Sequence, residues 1–447
     1  MKKKVVSVLL VGAMAGTMLA GCGGDNKAAD AGDNTKKEDT ADKSDSSDSG
    51  DDSSAEGKVT LNVTTTFAGT ESNVDKYQET IENWQKETGN KVNDSSASAD
   101  EAMKARVITD FETGAEPDVM FYFNGNDSNP FVEADKVVPI DEIREKYPDY
   151  AANMNDDLIP GSPVDGVKYA VPFYGYWEGM YVNKKVCEDA GVEIPGPDTT
   201  WEQFMETCQK IKDAGYTPIT CDDAYILCLF GYHMSRLNGY DKTSDIVKNN
   251  KWDDPSVMET AKAYADFAQK GYFSENIASN VFPAGQNQEL ALGTAAMYLN
   301  GSWLPNEVKN MAGDDFQWGC FSYPAVEGGT DGPEAANYGG QVLAINKNSQ
   351  NAEDAFKLIT YITKGEFDKK LSEESLGIPS DTTNSEWPVQ LTDVKPVMES
   401  LKTRYPWAAG AEDNVDMTPI IKENMTKLCS GAITADEFVS SLQAAGK

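Results

Sequence analysis

The sequence predicts an α/β protein of two lobes or domains built on mostly parallel sheets flanked by helices. Three observations predict it. Runs of β-branched and aromatic residues alternate with amphipathic helical stretches. The 447 residues exceed what one hydrophobic core usually organises. No internal repeat or low-complexity run interrupts the chain after residue 58.

The amino-terminal elements come first. Lys2, Lys3 and Lys4 precede an uncharged stretch from Val5 to Ala20, which fits a secretory signal peptide over residues 1–21. That stretch is too short, and too rich in Gly and Ala, to supply the roughly 20 apolar residues that span a bilayer. From Gly23 to Gly57 there is no aromatic residue and no Val, Ile, Leu or Met, so the segment cannot bury enough to fold and is expected to be an acidic tether. As a flexible coil of roughly 35 residues it would reach about 30 to 35 Å.

Charge and rare residues exclude several functions. The formal charge is −34, and the tether carries only eleven acids against four bases, so the acidity belongs to the folded part. A field of that sign repels phosphate backbones and anionic lipid, which argues against nucleic acid and against a peripheral membrane surface. After Cys22 the chain has Cys187, Cys208, Cys221, Cys228, Cys320 and Cys429, none in a CxxC pair, and its single histidine is His233. No zinc spacing exists, no metal or cofactor is expected, and the cysteines read as buried free thiols.

The folded part opens with the strand "KVTLNVTTTF", followed by "NVDKYQETIENWQKETG", where Val74, Tyr77, Ile81 and Trp84 recur at helical spacing and Gly89 stops the helix. A second helical stretch with Met103, Val107, Ile108 and Phe111 ends at Gly114, before the short buried-type strand "PDVMFYF". Thr200 and Gln203 form a capping box ahead of Trp201, Phe204 and Ile211, and "TPIT" follows as a strand. "AAMYLN" is a buried strand, "QVLAIN" precedes the helix "NAEDAFKLITYIT", and Thr434 with Glu437 caps the last helix.

Open sheets of this kind hold ligands at the carboxyl ends of their strands. Gly301-Ser302-Trp303 follows "AAMYLN"; for this tryptophan alone, capping the core stands beside facing a ligand. Other strand ends carry similar residues. The first strand runs into Phe67 to Glu71, "PDVMFYF" into Asn124-Gly125-Asn126-Asp127, and "TPIT" into Asp222, Asp223 and Tyr225. "VPFYGYWEGMY", read as a loop, brings Tyr174, Tyr176 and Trp177 beside Glu178. Aromatic faces with amides and carboxylates suit a sugar, whose C–H faces stack while its hydroxyls demand hydrogen bonds. These loops contain no Arg or Lys, which disfavours anionic solutes, while a polyamine remains open through cation–π contacts. A secreted glycoside hydrolase is the rival from another class, because paired carboxylates near aromatics also build hydrolytic sites. A triad would have to recruit His233, which sits in the apolar helical stretch "ILCLFGYHM" and reads as structural.

Four stretches then carry a resemblance: "EPDVMFYFN", "YAVPF…YVNKKVCEDAGVEIPGPDTTWEQF", "LALGTAAMYLNGSW" and "VLAINKNSQNAEDAFKLITYIT". In this order and at these separations they resemble the extracellular solute-binding proteins of ABC importers, in particular the sugar-binding, maltose-binding-protein-like family. Leu19-Ala20-Gly21-Cys22 resembles the lipobox of bacterial lipoproteins, which implies lipidation of Cys22 and anchoring to the outer face of the cell membrane. The resemblance implies the two-lobed periplasmic-binding-protein-like fold with a ligand cleft between the lobes, residues 58–174 and 341–385 in one lobe and 175–340 and 386–447 in the other. It places Trp303 in the cleft against a sugar ring. It matches Tyr122 and Asn124 to the cleft edge, with Asn126 a candidate from the same strand-end loop, Phe67 and Glu71 to the first loop, and Trp177 to the first crossover. Tyr338 and Gly340 fall at the second crossover, and Tyr225 joins the site from its strand end. The implied function is capture of a mono- or oligosaccharide by lobe closure and delivery to ABC permease subunits, by a monomer with no catalysis of its own; a polyamine or peptide solute on the same fold is the alternative.

Overall fold

The computed structural model describes residues 58–447 apart from 70–72, 99–100, 157–158, 197, 314, 375–378 and 385–394. Cys22, the tether and Glu71 lie outside the described residues. The residues from Gly57 onward form one compact unit.

Nine strands make one curled sheet: β1 (Thr60–Thr64), β2 (Lys91–Asp94), β3 (Val119–Tyr122), β4 (Val171–Asn183), β5 (Thr217–Ile219), β6 (Ala295–Gly301), β7 (Trp318–Phe321), β8 (Ala335–Ile345) and β9 (Thr403–Tyr405). The main path runs β2-β1-β3-β8-β4-β6-β5, with β7 on β4 and β9 on β8. The outer pairs β1–β2, β1–β3 and β5–β6, together with β8–β9, are parallel. The pairs made by β4 with β6, β7 and β8, and by β3 with β8, are antiparallel. The sheet is therefore more mixed than the alternation of strands and helices alone predicts. The antiparallel pairing arises where two long strands pass through the middle of the molecule in opposite directions.

Two hydrophobic cores flank that middle. One gathers Leu61, Val63, Trp84, Phe121, Phe173 and Leu343 with the helix Ala352–Thr363. The other gathers Tyr181, Phe204, Phe230, Leu299 and Phe321 with the helices Thr418–Cys429 and Ala435–Ala445. β4 and β8 run from one core into the other and meet at Gly175 opposite Gly340 and Tyr176 opposite Gly339. The stretch "VPFYGYWEGMY" is thus the middle of a strand, not a loop. Gly179 breaks its aromatic run for a steric reason: a methyl there would stand 2.8 Å from the Cys320 sulfur and 2.9 Å from the Trp177 ring.

Local signals account for the helices. Gly89 takes the left-handed conformation at φ 72° and returns its N–H to the Gln85 carbonyl, closing Val74–Thr88. Thr200 with Gln203 and Thr434 with Glu437 make reciprocal capping boxes on Trp201–Asp213 and Ala435–Ala445. Cys208 is buried with Phe204 and Ile211 on the inner face of its helix, and all six cysteines of the described residues are buried free thiols. No helix among the described residues is long and apolar enough to cross a membrane.

Candidate functional site

The site is built where β4 and β8 cross, at the seam between the two cores. β6 ends there at Gly301, and the chain turns back so that the Trp303 ring lies over the strand end. Only glycine permits this, because a methyl at Gly301 would sit 2.4 Å from the Trp303 ring carbons. The turn is held from both sides. The Ser302 N–H donates to the Trp177 carbonyl at 2.9 Å, and the Tyr174 hydroxyl donates to the Ser302 carbonyl at 3.1 Å. Trp303 is half-buried and tilts against the half-buried ring of Tyr176 on β4, 5.6 Å between centroids. Two aromatic faces, one from the end of β6 and one from the crossing strand, thereby meet at the seam.

The loop after β3 comes in from the first core. Asn124 donates from its side-chain amide to the Gly340 carbonyl at 2.6 Å, tying the loop to the crossing of β8. Asn126 and Asp127 follow in a single 3-10 turn, Gly125–Ser128. Asp127 pairs with Lys104 at 2.8 Å, and the Lys104 ammonium stands 4.8 Å over the Phe123 ring. From the second core, β9 brings Arg404 to 4.8 Å over the half-buried Tyr338 ring. The turn Trp407–Gly410 follows, with Ala408 at φ 50° and Ala409 at φ 47°, an uncommon conformation for alanine held by its surroundings. The turn presses on the helix Tyr225–Asn238 at Gly231, where a methyl would meet the Ala408 carbonyl oxygen, and Ser235 donates to the Ala409 carbonyl at 2.9 Å.

That turn delivers Glu412. Burial first, and then the charge of Asp127, push its carboxyl up to about 8, while Lys104 and Lys422 pull the other way. The neighbouring Asp413 is anchored by the hydroxyls of Ser244 and Tyr240 and by Lys248 at 3.5 Å. The strand-end loops themselves hold no Arg or Lys, but Lys104 from the helix Glu101–Thr113 and Arg404 from β9 bring two basic groups near them.

The family described as bacterial extracellular solute-binding protein matches residues 68–366, more than half of the chain. The chain belongs to that family. Among curated relatives, the multiple sugar-binding protein of Streptococcus mutans is 25% identical over 203 residues, 44% of this chain and 47% of that protein. The sn-glycerol-3-phosphate-binding periplasmic protein of Rhizobium meliloti is 21% identical over 295 residues, 61% of this chain and 64% of that protein. The chain spans less than two thirds of the length of these relatives. A solved chitin oligosaccharide binding protein superposes with a TM-score of 0.72 at 20% identity, covering 87% of this chain and 98% of the other, and this shows the two-lobed fold.

In this solute-binding protein several of the aromatics expected at the cleft are placed elsewhere. Phe67 is buried in the first core, stacked on Tyr77 at 5.0 Å and edge-on to Phe367 at 4.9 Å, because its strand end turns inward beneath neighbouring helices. Tyr122 is buried beside Phe131 at 6.3 Å, and burial pushes its hydroxyl up to about 12. Trp177 is wholly buried, 5.6 Å from Tyr181, since alternation along β4 turns it to the opposite face from Tyr176. Tyr225 is buried between Tyr298 at 5.4 Å and Trp407 at 5.2 Å. Gly340 offers its carbonyl to Asn124. Trp303, Tyr338, Asn124 and Asn126 remain half-buried at the seam, and Tyr176 joins them.

The other polar groups singled out in the sequence are satisfied inside the protein. Glu178 accepts from Asn337 and from Tyr232, both at 2.9 Å. Asp222 accepts the Tyr298 hydroxyl and the N–H groups of Ala224 and Tyr225. His233 shares a 3.0 Å hydrogen bond with Tyr323, and burial, with Arg236 adding, pushes it down to about 3, so it is neutral. No group of three or more metal-ligating side chains occurs among the described residues.

Proposed function

We propose that this protein captures a carbohydrate, a mono- or oligosaccharide, in the seam between its lobes and delivers it to ABC transporter permease subunits. The observation that carries the proposal is the Trp303 ring, laid over Gly301 and facing Tyr176 where β4 and β8 cross. A sugar ring stacks its C–H face on such a surface while amides and carboxyls take its hydroxyls. Asn124, Asn126, Tyr338 and Glu412 are the polar groups proposed around it, and the multiple sugar-binding relative supports the solute class.

Closure follows from the same crossing. Residues 58–174 and 341–385 form one lobe in this proposal, residues 175–340 and 386–447 the other, and the paired middles of β4 and β8 act as the hinge. Lipidation of Cys22 holds the protein, a monomer, at the outer face of the membrane, with the segment to Gly57 as tether. It carries out no chemistry; binding energy selects the closed form, which the permease reads.

The test is a thermal-shift screen of the chain against mono- and oligosaccharides, polyamines and short peptides, since a ligand selective for the native state raises the melting temperature. A shift with one sugar series is expected. A response to polyamines or peptides alone would overturn the carbohydrate assignment.

A further inference from the structure

Resting on the proposed capture of a carbohydrate by closure about β4 and β8, we infer that Tyr174 is a positioning residue. Its hydroxyl straps the turn that carries Trp303 to the first lobe, so that the angle between the lobes and the seating of the ring change together. The path of β4 sets this up. Phe173 is an extra residue between the pairs Pro172–Val342 and Tyr174–Gln341, a bulge in the strand. A shift of one residue exchanges the side chains on the two faces of a strand, and bulges beside binding sites re-aim a side chain in this way. Beyond the bulge, Tyr174 and Tyr176 leave β4 on one face and reach two consecutive residues, Ser302 and Trp303.

Tyr174 is packed in the first core and Trp177 in the second, and the stretch between them lies opposite Gly339 and Gly340 of β8. With Gly175 these make three glycines at the crossing, where the backbone bends most freely. On the second-core side the two strands are pinned. Glu178 accepts from the Asn337 side chain and from the Tyr232 hydroxyl, both at 2.9 Å, and that hydroxyl accepts from the Asn337 N–H at 2.8 Å. These bonds close a buried ring that joins β4, β8 and the helix Tyr225–Asn238, and so confine bending to the glycines. Ser302, wholly buried, is bonded across that point. Its N–H donates to the Trp177 carbonyl at 2.9 Å on one side; on the other its carbonyl accepts the Tyr174 hydroxyl at 3.1 Å, with the Ser302 Oγ 3.3 Å from the same hydroxyl. Rotation about the glycines moves Tyr174 relative to Trp177, and the residue held by both is the one before Trp303. A solute stacked on the ring therefore favours one lobe angle, and that angle in turn presents the ring.

The first measurement needs no solute. The eight tryptophans of the full chain are replaced by 5-fluorotryptophan, and Trp303→Phe identifies the fluorine resonance of residue 303. In a Cys22→Ser background, spin labels at the exposed positions Glu133→Cys and Lys262→Cys report the distance between the lobes, the native thiols of the described residues being buried. Tyr174→Phe keeps the ring packing and removes the hydroxyl. It should widen the distribution of interlobe distances and shift or broaden the resonance of residue 303, while melting close to the natural chain. Ser302→Ala removes only the Oγ contact and should give smaller changes in the same direction; it decides the question by the same two signals if Tyr174→Phe does not fold. A resonance or a distance distribution left unchanged overturns the inference. The second measurement is calorimetric titration of maltotriose, cellotriose and xylotriose into the natural chain, Tyr174→Phe, Trp303→Ala and the doubly substituted chain. With a sugar that binds, Tyr174→Phe should lose about fivefold in affinity, the worth of one hydrogen bond, and nothing further in the Trp303→Ala background. Equal losses in both backgrounds overturn the inference and leave the carbohydrate reading standing. Binding of none of the three sugars counts against the carbohydrate reading, and the solute-free signals then decide on Tyr174.

Discussion

Two carboxyl groups, Glu178 and Glu412, differ in how the fold surrounds them. Glu178 lies on β4 in the interior of the second core, with both oxygens satisfied by Asn337 and Tyr232 and the Trp177 ring next in the chain fully buried. Glu412 is half-buried just after the turn Trp407–Gly410, and burial, then the charge of Asp127 from the other core, push its carboxyl up to about 8. An aromatic-carboxyl cluster becomes a candidate ligand site only where its groups keep surface and hydrogen-bonding capacity for something outside the chain. Around Glu178 the fold itself has used both.

The comparison can be sharpened by substitution, starting with the largest effect. Trp177→Ala should remove core packing and destabilise the protein by about 3–5 kcal/mol, seen as a large fall in the denaturant midpoint. Gly301→Ala is expected to cost about 1–3 kcal/mol, because the added methyl strikes the Trp303 ring. It should also weaken sugar binding, and retained affinity in a folded Gly301→Ala variant would show that the ring need not lie over the strand end. The smallest effect is on pH dependence. Burial pushes the Glu178 carboxyl up to about 7 from an ordinary 4.5. The folded chain therefore holds a proton that the unfolded chain releases, and this contribution to stability is lost as pH rises from about 4.5 through about 7. Glu178→Gln should flatten that part of the stability profile; an unchanged slope between the same limits would mean that Glu178 is not its source.

Much of the fold was legible because local and global preferences agree. The helix Val74–Thr88 announces itself by spacing and a terminal glycine, and the two capping boxes are reciprocal in the structure as their sequences suggest. Three strands gave no such signal. β2 is "KVND", a polar edge strand with alternate residues exposed; β9 has three residues; and β7, "WGCF", is too short to separate from a buried turn. β4 was obscured by its glycines, which suggest a loop until Gly179 is seen pressed against Cys320 and Trp177. The site was legible in part. The place of Trp303 over a strand end could be read because a buried strand ends in Gly-Ser-Trp. Trp177 and Tyr176 could not be sorted, since which face of β4 points at the seam depends on its pairing with β8. Glu412 and Arg404 were hidden for a different reason. They lie far along the chain from Tyr176 and Trp303, and two left-handed alanines have no signature in sequence.

The central claim is that the ring at the end of β6 is the surface on which the solute rests. Its most direct test is a pair of binding isotherms, for the natural protein and for Trp303→Ala, with the sugar that stabilises the natural protein, alongside melting curves of both. The account predicts that Trp303→Ala loses about 2 kcal/mol or more of binding free energy while melting close to the natural protein, as expected for a half-exposed anchor. Undiminished affinity in the variant would contradict it.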